Sequence, residues 1–198
     1  MGYYPVMVDV GKRAVAVVGS SPVAAHKIPG LLAAGARVDL FSPQLHPACH
    51  PLIGEQVRWY ARYPEPSDLT GYAFIIAAAP PAVNRTVIGW AEQIGLWVNV
   101  PDAASASTIL MVSQLRRQEF VIGVSTGGLA PGLAKRIRRE LEPLFPRGFG
   151  LALREFGAIR RQILTTTEGP SRRAELDAAQ EHFVRQWHAA SDDEKATP

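Results

Sequence analysis

The chain has a single cysteine, Cys49, in 198 residues. One thiol excludes an intrachain disulfide and suits a reducing compartment, so a cytoplasmic protein is expected. No apolar run reaches the ~20 residues needed to cross a bilayer. The opening MGYYPVMVDV lacks a basic start and a long apolar core, so neither a signal peptide nor a membrane association is read from it. An excess of either charge is also missing. Twenty-one Lys and Arg stand against 18 Asp and Glu, a net charge of +3, which gives no ground for a nucleic-acid partner. There is no internal repeat. The terminal SDDEKATP has no apolar anchor and is expected to be disordered.

What is present has an ordinary globular composition, 47% hydrophobic and 20% charged. Val6, Val8 and Val10 alternate with Met7 and Asp9, which predicts an opening strand. Ala14 to Val18 are continuously apolar and rich in β-branched residues, as in a strand covered on both faces. VAAHKIPGLLAAGA then has helical spacing, with Gly35 at the cap and Pro29 as an internal conflict that predicts a kink. RVDLFSP, VRWYAR, GYAFIIAAA and LWVNV read as further strands, and NRTVIGWAEQIG as a helix. Strand and helix in alternation point to a parallel sheet with crossover helices.

After residue 107 the pattern changes. Thr108–Val112 and Phe120–Val124 read as two strands joined by the polar QLRRQE, pairing with each other or with a partner chain. GLAPGLAKRIRRELEPLF is strongly amphipathic, with Leu133, Ile137, Leu141 and Leu144 at helical spacing and basic residues between them. Two more helices follow. The first strand pair and this helix would leave apolar surface exposed in an isolated chain, which predicts a homodimer.

The turn Gly19-Ser20-Ser21-Pro22-Val23-Ala24 is the first sign of chemistry. A strand that ends in glycine and enters a helix presents backbone N–H groups that can bind a diphosphate. Against the pattern G-x-G-x-x-G/A, the first glycine is kept, Ala24 fills the close-packing position, and Ser21 replaces the middle glycine. A plain strand-to-helix turn is the alternative. The second strand ends Leu40-Phe41-Ser42-Pro43 without a carboxylate for ribose, so Ser42 or the backbone near Pro43 and Gln44 would have to serve. Cys49 between His46 and His50 is weak as a metal set, because the spacing is irregular and the loop is rich in proline.

Together these segments resemble the precorrin-2 dehydrogenase/sirohydrochlorin ferrochelatase family, which includes the N-terminal half of siroheme synthase. The resemblance is carried by YYPVMVDVGKRAVAVVG, VAAHKIPGLLAAGARVDLFSP, VNVPDA and VSTGGLAPGLAKRIRRELEPLFP, and spans most of residues 3–165. It implies an α/β fold: a Rossmann-like parallel sheet with a small dimerisation region and a helical C-terminal region. The boundaries expected are 1–110 for the NAD-binding domain, 111–145 for the dimerisation region and 146–198 for the helices. It implies NAD-dependent oxidation of precorrin-2 to sirohydrochlorin, in some members also insertion of ferrous iron, and a homodimer.

The resemblance places the family's essential aspartate on Asp102. It carries the cofactor positions onto Gly19, Pro22, Val23, Pro43, Gln44, Ala78, Ala79 and Asn99, beside Ser20, Ser21 and Ser42 from the turn and strand tip. For substrate carboxylates it offers Ser125, Thr126, Gly127 and Gly128, with Arg136 and Arg139 on the basic helix; Thr126 stands where some members carry a phosphorylated serine. Alone, Asp102 would read as a turn or helix-cap residue, and the arginines as solvated charges. The chain departs from the family in its Gly-Ser-Ser turn, in His26 before Lys27, and in AAAPP where two acids and a threonine are usual. Those departures motivate the competing reading, a paralogue that binds a tetrapyrrole or senses NAD without oxidising, or a chelatase alone.

Overall fold

The computed structural model describes residues 2–196. The chain divides into two compact units, residues 1–111 and 112–198.

The first unit is built on a five-stranded, all-parallel sheet in the order β3-β2-β1-β4-β5. Its strands are β1 (Val15–Val18), β2 (Val38–Phe41), β3 (Val57–Tyr60), β4 (Ile75–Ala77) and β5 (Val98–Asn99). The continuous apolar runs occupy the centre: every residue of β1 and β4 is buried. Helix α1 (Pro22–Leu32) covers one face with Ala24, Ile28 and Leu31, which pack on Val15, Val17, Val38, Leu40 and Ile76. Helix α2 (Pro81–Gln93) covers the other with Val87 and Ala91, against Ala16, Val18, Ile75, Ala77 and Val98. The expected Rossmann-like layering is present.

Helix α1 runs uninterrupted through Pro29. Gly35 follows its end at φ +80°, and its N–H returns to Leu32 O, as the cap reading required.

Two strand expectations are corrected. Residues 2–10 form no strand: Val6, Met7 and Val8 stay exposed and only Val10 is buried. A half-buried strand needs a free edge, and this alternating segment pairs with none. The segment from Thr108 is likewise not a strand. Thr108 and Ile109 donate N–H groups to Val98 O, and the hydroxyls of Ser107 and Thr108 accept from Val100 N and Val98 N. These residues are spent on closing the outer edge of β5, and the hairpin begins only at Ser113.

The second unit opens with that antiparallel hairpin, β6 (Ser113–Arg117) and β7 (Phe120–Val124), closed by a two-residue turn in which Gln118 is left-handed at φ 57°. Of the polar QLRRQE stretch, Gln114–Arg117 are therefore strand, and Gln118 and Glu119 form the turn. Helices α3 (Pro131–Leu141), α4 (Phe149–Thr166) and α5 (Gly169–Ala196) follow, so the terminal stretch expected to be disordered is helical as far as Ala196. Phe120, Phe145, Phe149 and Trp187 cluster, with ring centroids 4.6–5.3 Å apart. A Cβ on Gly150 would collide with Arg117 O, which is how closely α4 starts against the hairpin. Among the described residues no helix is long and apolar enough to cross a membrane.

Candidate functional site

Strand register brings the expected cofactor residues of the first unit to one edge. Val18 is level with Phe41 and with Ala77, and Ile76 with Asn99. The residues that follow, Gly19, Ser42, Ala78 and the loop to Asp102, therefore all leave the sheet at its carboxyl edge. The strand order reverses between β1 and β4, and a crevice outside the carboxyl ends at such a point is where open parallel sheets bind ligands.

The Gly19 turn is shaped for close packing. Gly19 has φ +98°, and a Cβ there would strike the backbone of Ala78 and Ala79. Its N–H is held by Phe41 O at 2.8 Å. Ser21 caps α1: its hydroxyl accepts from Ala24 N at 3.2 Å and donates to Ala78 O at 3.4 Å. The one proton of Ser21 is thus turned inward. Ser20 is arranged the opposite way. Its hydroxyl accepts from His46 N at 2.8 Å and keeps its proton to donate. The backbone N–H groups of Ser20, Ser21 and Val23 donate to no acceptor among the described residues, and Pro22 has none to leave unmet. Three N–H groups and one hydroxyl at a helix start fit the diphosphate of a dinucleotide.

The β2 tip is more committed. Ser42 is buried, donates to Gln44 O at 2.6 Å, and its carbonyl accepts from Trp59 Nε1 at 2.9 Å. Pro43 and Gln44 are exposed. Asp39 points away from the tip and accepts from Tyr72 Oη at 2.7 Å, a bond that, after burial itself, pushes the phenol of Tyr72 well above its ordinary range. Cys49 is buried in the core beside α1, with Sγ 3.7 Å from Ser21 O, and His46 Nδ1 accepts from Ala48 N. Among the described residues no cluster of His, Cys, Asp or Glu is arranged to hold a metal ion.

Ala78 and Ala79 shape a wall and spend their backbone groups on it. Ala78 N donates to Val18 O, and Asn84 clamps Ala79 from both sides, accepting at 3.1 Å and donating at 2.8 Å. Sequence reasoning missed Asn84; an Asn in the first turn of α2, shortly after the AAAPP loop, was its only signal. Asn99 is different. It is buried, its Nδ2 donates to Ile109 O at 3.1 Å, and its Oδ1 has no partner. A buried acceptor left unpaired costs about 1–3 kcal/mol, and the amide of a nicotinamide is a donor that would meet it. These residues fit a nicotinamide dinucleotide.

Asp102 lies in the turn after β5. It is exposed and makes no hydrogen bond or ion pair among the described residues. The other charged group at this edge is Lys27 of α1. It is half-buried, burial holds its ammonium below the ordinary lysine value, and Asp102 is the charge that opposes the shift.

The remaining expected residues belong to the second unit. Ser125 Oγ accepts from Gly127 N at 3.1 Å and Thr126 Oγ1 from Ala130 N at 3.0 Å, so both hydroxyls shape the Gly127-Gly128 turn and keep their protons. Arg136 is exposed and pairs with Glu140 at 3.0 Å. Arg139 has no partner among the described residues. Arg138, half-buried, is bound to Glu142.

An all-parallel sheet with free N–H groups on its first strand-to-helix turn defines a dinucleotide-binding protein of Rossmann type. Comparison with known proteins narrows this. A family described as "Putative NAD(P)-binding" matches residues 6–113, and one described as "Sirohaem biosynthesis protein central" matches residues 122–143. The chain belongs to the first family, and the expected kinship with precorrin-2 dehydrogenase and siroheme synthase is borne out. It is 37% identical over 163 residues to siroheme synthase 2 of Aeromonas hydrophila, covering 82% of this chain and 34% of that protein. It is 36% identical over 162 residues to siroheme synthase of Methylobacillus flagellatus, covering 81% and 34%. The chain thus spans about a third of the length of these relatives. A solved structure titled SirC, precorrin-2 dehydrogenase, superposes with a TM-score of 0.75 at 25% identity, over 94% of this chain and 100% of that one.

Proposed function

We propose that the protein oxidises precorrin-2 to sirohydrochlorin in siroheme biosynthesis, working in the cytoplasm as a homodimer. One observation carries this. The groups left unspent at the carboxyl edge of the sheet, the N–H groups of Ser20, Ser21 and Val23, Asn99 Oδ1 and the Asp102 carboxylate, are those a dinucleotide and a proton-releasing substrate require. The likeness to SirC extends over the whole of that chain and supplies the substrate class.

Gly19 to Val23 hold the diphosphate, with Ser20 donating its free hydroxyl proton. Ser42, Pro43 and Gln44 flank the ribose through backbone and contact, while Ala78 and Ala79 wall the nicotinamide side and Asn99 receives its amide. The nicotinamide, when bound, accepts the hydride. Asp102 takes the proton released with it; being free of partners, it has no competing bond to break. NAD fits better than NADP. Arg62 lies over the Phe41 ring beside the β2 tip, but both of its NH groups are committed to Asp68 at 2.6 and 2.8 Å, so that guanidinium is not available for a 2′-phosphate.

Within the second unit, the groups suited to substrate carboxylates are the hydroxyls of Ser125 and Thr126, the Gly127-Gly128 turn, Arg139, and Arg136 once released from Glu140. Residues 111–145 supply the dimer contact and 146–198 the helical region. Ferrous iron enters only as the substrate of the second step some relatives perform, with Asp102 accepting pyrrole protons; sirohydrochlorin incubated anaerobically with ferrous iron, with and without protein, tests that step.

The deciding experiment is anaerobic turnover of precorrin-2 with NAD, with NADP, and with neither, followed by the rise of the sirohydrochlorin spectrum. NAD-dependent turnover is expected. Asp102→Asn is expected to lower it by a factor of about 10²–10⁴ with an unchanged circular dichroism spectrum. Tight binding of sirohydrochlorin without turnover would instead establish the non-oxidising paralogue.

A further inference from the structure

Lys27 has no role in the scheme above. It sits three residues after Ala24 and four before Leu31, on the stripe that α1 turns toward the sheet. A lysine on such a stripe ordinarily runs its stem along the apolar surface and releases its ammonium to water. Lys27 is half-buried, makes no hydrogen bond or ion pair among the described residues, and its ammonium is held below the usual lysine value by lost hydration, with Asp102 the charge that offsets this.

Asn99 has the complementary deficit. Asn99 is in register with Ile76, whose side chain belongs to the core under α1, so Asn99 faces the same side of the sheet as Lys27. Its Oδ1 is buried and unpaired. Asp102 follows three residues later. A buried orphan acceptor and a half-buried orphan ammonium thus lie on one face of the sheet at its carboxyl edge, with the charge of Asp102 acting on that ammonium.

We propose that Lys27 binds a carboxylate of the substrate, beside Asp102 on the α1 side of the carboxyl edge. The inference rests on the function proposed above and adds a substrate-binding residue to it. A proton-accepting carboxylate repels a polycarboxylate ligand, and the repulsion is strongest where water is excluded. One ammonium beside that carboxylate offsets its charge and gives a substrate carboxylate a donor. Lysine suits this task because its three donors on a compact charge can serve a substrate oxygen without a fixed planar geometry.

The test compares the full-length protein with Lys27→Met and Lys27→Arg. Sirohydrochlorin, which retains the substrate's carboxylates, is titrated and followed by quenching of tryptophan fluorescence; NAD affinity is measured in parallel by calorimetry. Lys27→Met is expected to weaken sirohydrochlorin binding tenfold or more and to raise KM for precorrin-2 more than it lowers kcat. Lys27→Arg is expected within about threefold of the parent, and NAD affinity is expected to be the same in all three. Folded Lys27→Met protein that binds sirohydrochlorin like the parent overturns the inference while leaving the function intact, as does a loss confined to NAD binding. Lys27→Gln replaces Lys27→Met if the latter does not fold. A parent protein that neither binds sirohydrochlorin nor oxidises precorrin-2 overturns both readings together.

Discussion

The two compact units solve the problem of burial differently. In residues 1–111 the sheet is covered on both faces, and β1 and β4 are buried from end to end. In residues 112–198 the buried hydrophobic side chains among those described are Leu115, Ala134 and Phe149. Here Leu129 is 92% exposed and Leu133 51%, and Ile137, Leu144 and Leu151 also face outward. The amphipathic stripe of α3 is thus real, but its apolar side is only partly covered: Ala134 is buried while Leu133 and Ile137 stay exposed. The first unit has a core of its own; the second carries a surface suited to another polypeptide, and the homodimer proposal rests on it. The difference shows that strong amphipathicity in a sequence locates an apolar face without saying which molecule covers it.

Core substitutions give the sharpest test of that contrast. Ile76→Ala removes a fully buried side chain packed between the sheet and α1 and is expected to cost about 2–5 kcal/mol. Leu151→Ala, at a position 56% exposed, is expected to stay within about 0.5 kcal/mol. Denaturant unfolding of both variants measures this, and equal losses would erase the distinction between the units.

A smaller effect is expected on assembly. Leu133→Asp places a charge on the exposed apolar side of α3 and is expected to weaken the dimer at least tenfold in sedimentation equilibrium, with little change in helix content. A parent protein that stays monomeric at high concentration would show that this face has no second copy to meet.

The smallest effect concerns a surface ion pair in the first unit. Arg62, hydrogen-bonded to Asp68, holds that carboxyl at about 2, against an ordinary value of 3.8. The folded form therefore takes up this proton less readily than the unfolded one. The pair's stabilisation is complete above the unfolded value and is lost as pH falls from about 4 toward 2. Arg62→Ala is expected to remove this acid-dependent component, which is small because the pair is exposed to water. Thermal melts across that pH range, with parent and variant parallel, would show that the pair contributes nothing.

The parallel sheet was legible because its strands are short apolar runs ended by glycine or proline, and the turn at Gly19 because glycine there precedes a helix. The strand expected at residues 108–112 was misplaced because Ser107 and Thr108 look like ordinary β-formers; their hydroxyls are spent on β5, a contact that spacing does not reveal. Ser20 and Ser21 were both placed among the cofactor residues with nothing to separate them, yet Ser21 caps α1 and bonds Ala78, leaving Ser20 with the free proton. Lys27 was visible only as one letter of a resemblance. Its half-burial and its closeness to Asp102 arise from two segments about 75 residues apart in the chain.

By itself the amino-acid order determined the layered α/β architecture, the sheet edge proposed for the ligand and the family to which the chain belongs, because these follow from local periodicity and from short contiguous turns. Only the tertiary structure decided which hydroxyl, amide and ammonium groups stay unpaired at that edge. Hydrogen bonds are allotted among residues that folding brings together from distant positions, and no local pattern records how they are shared.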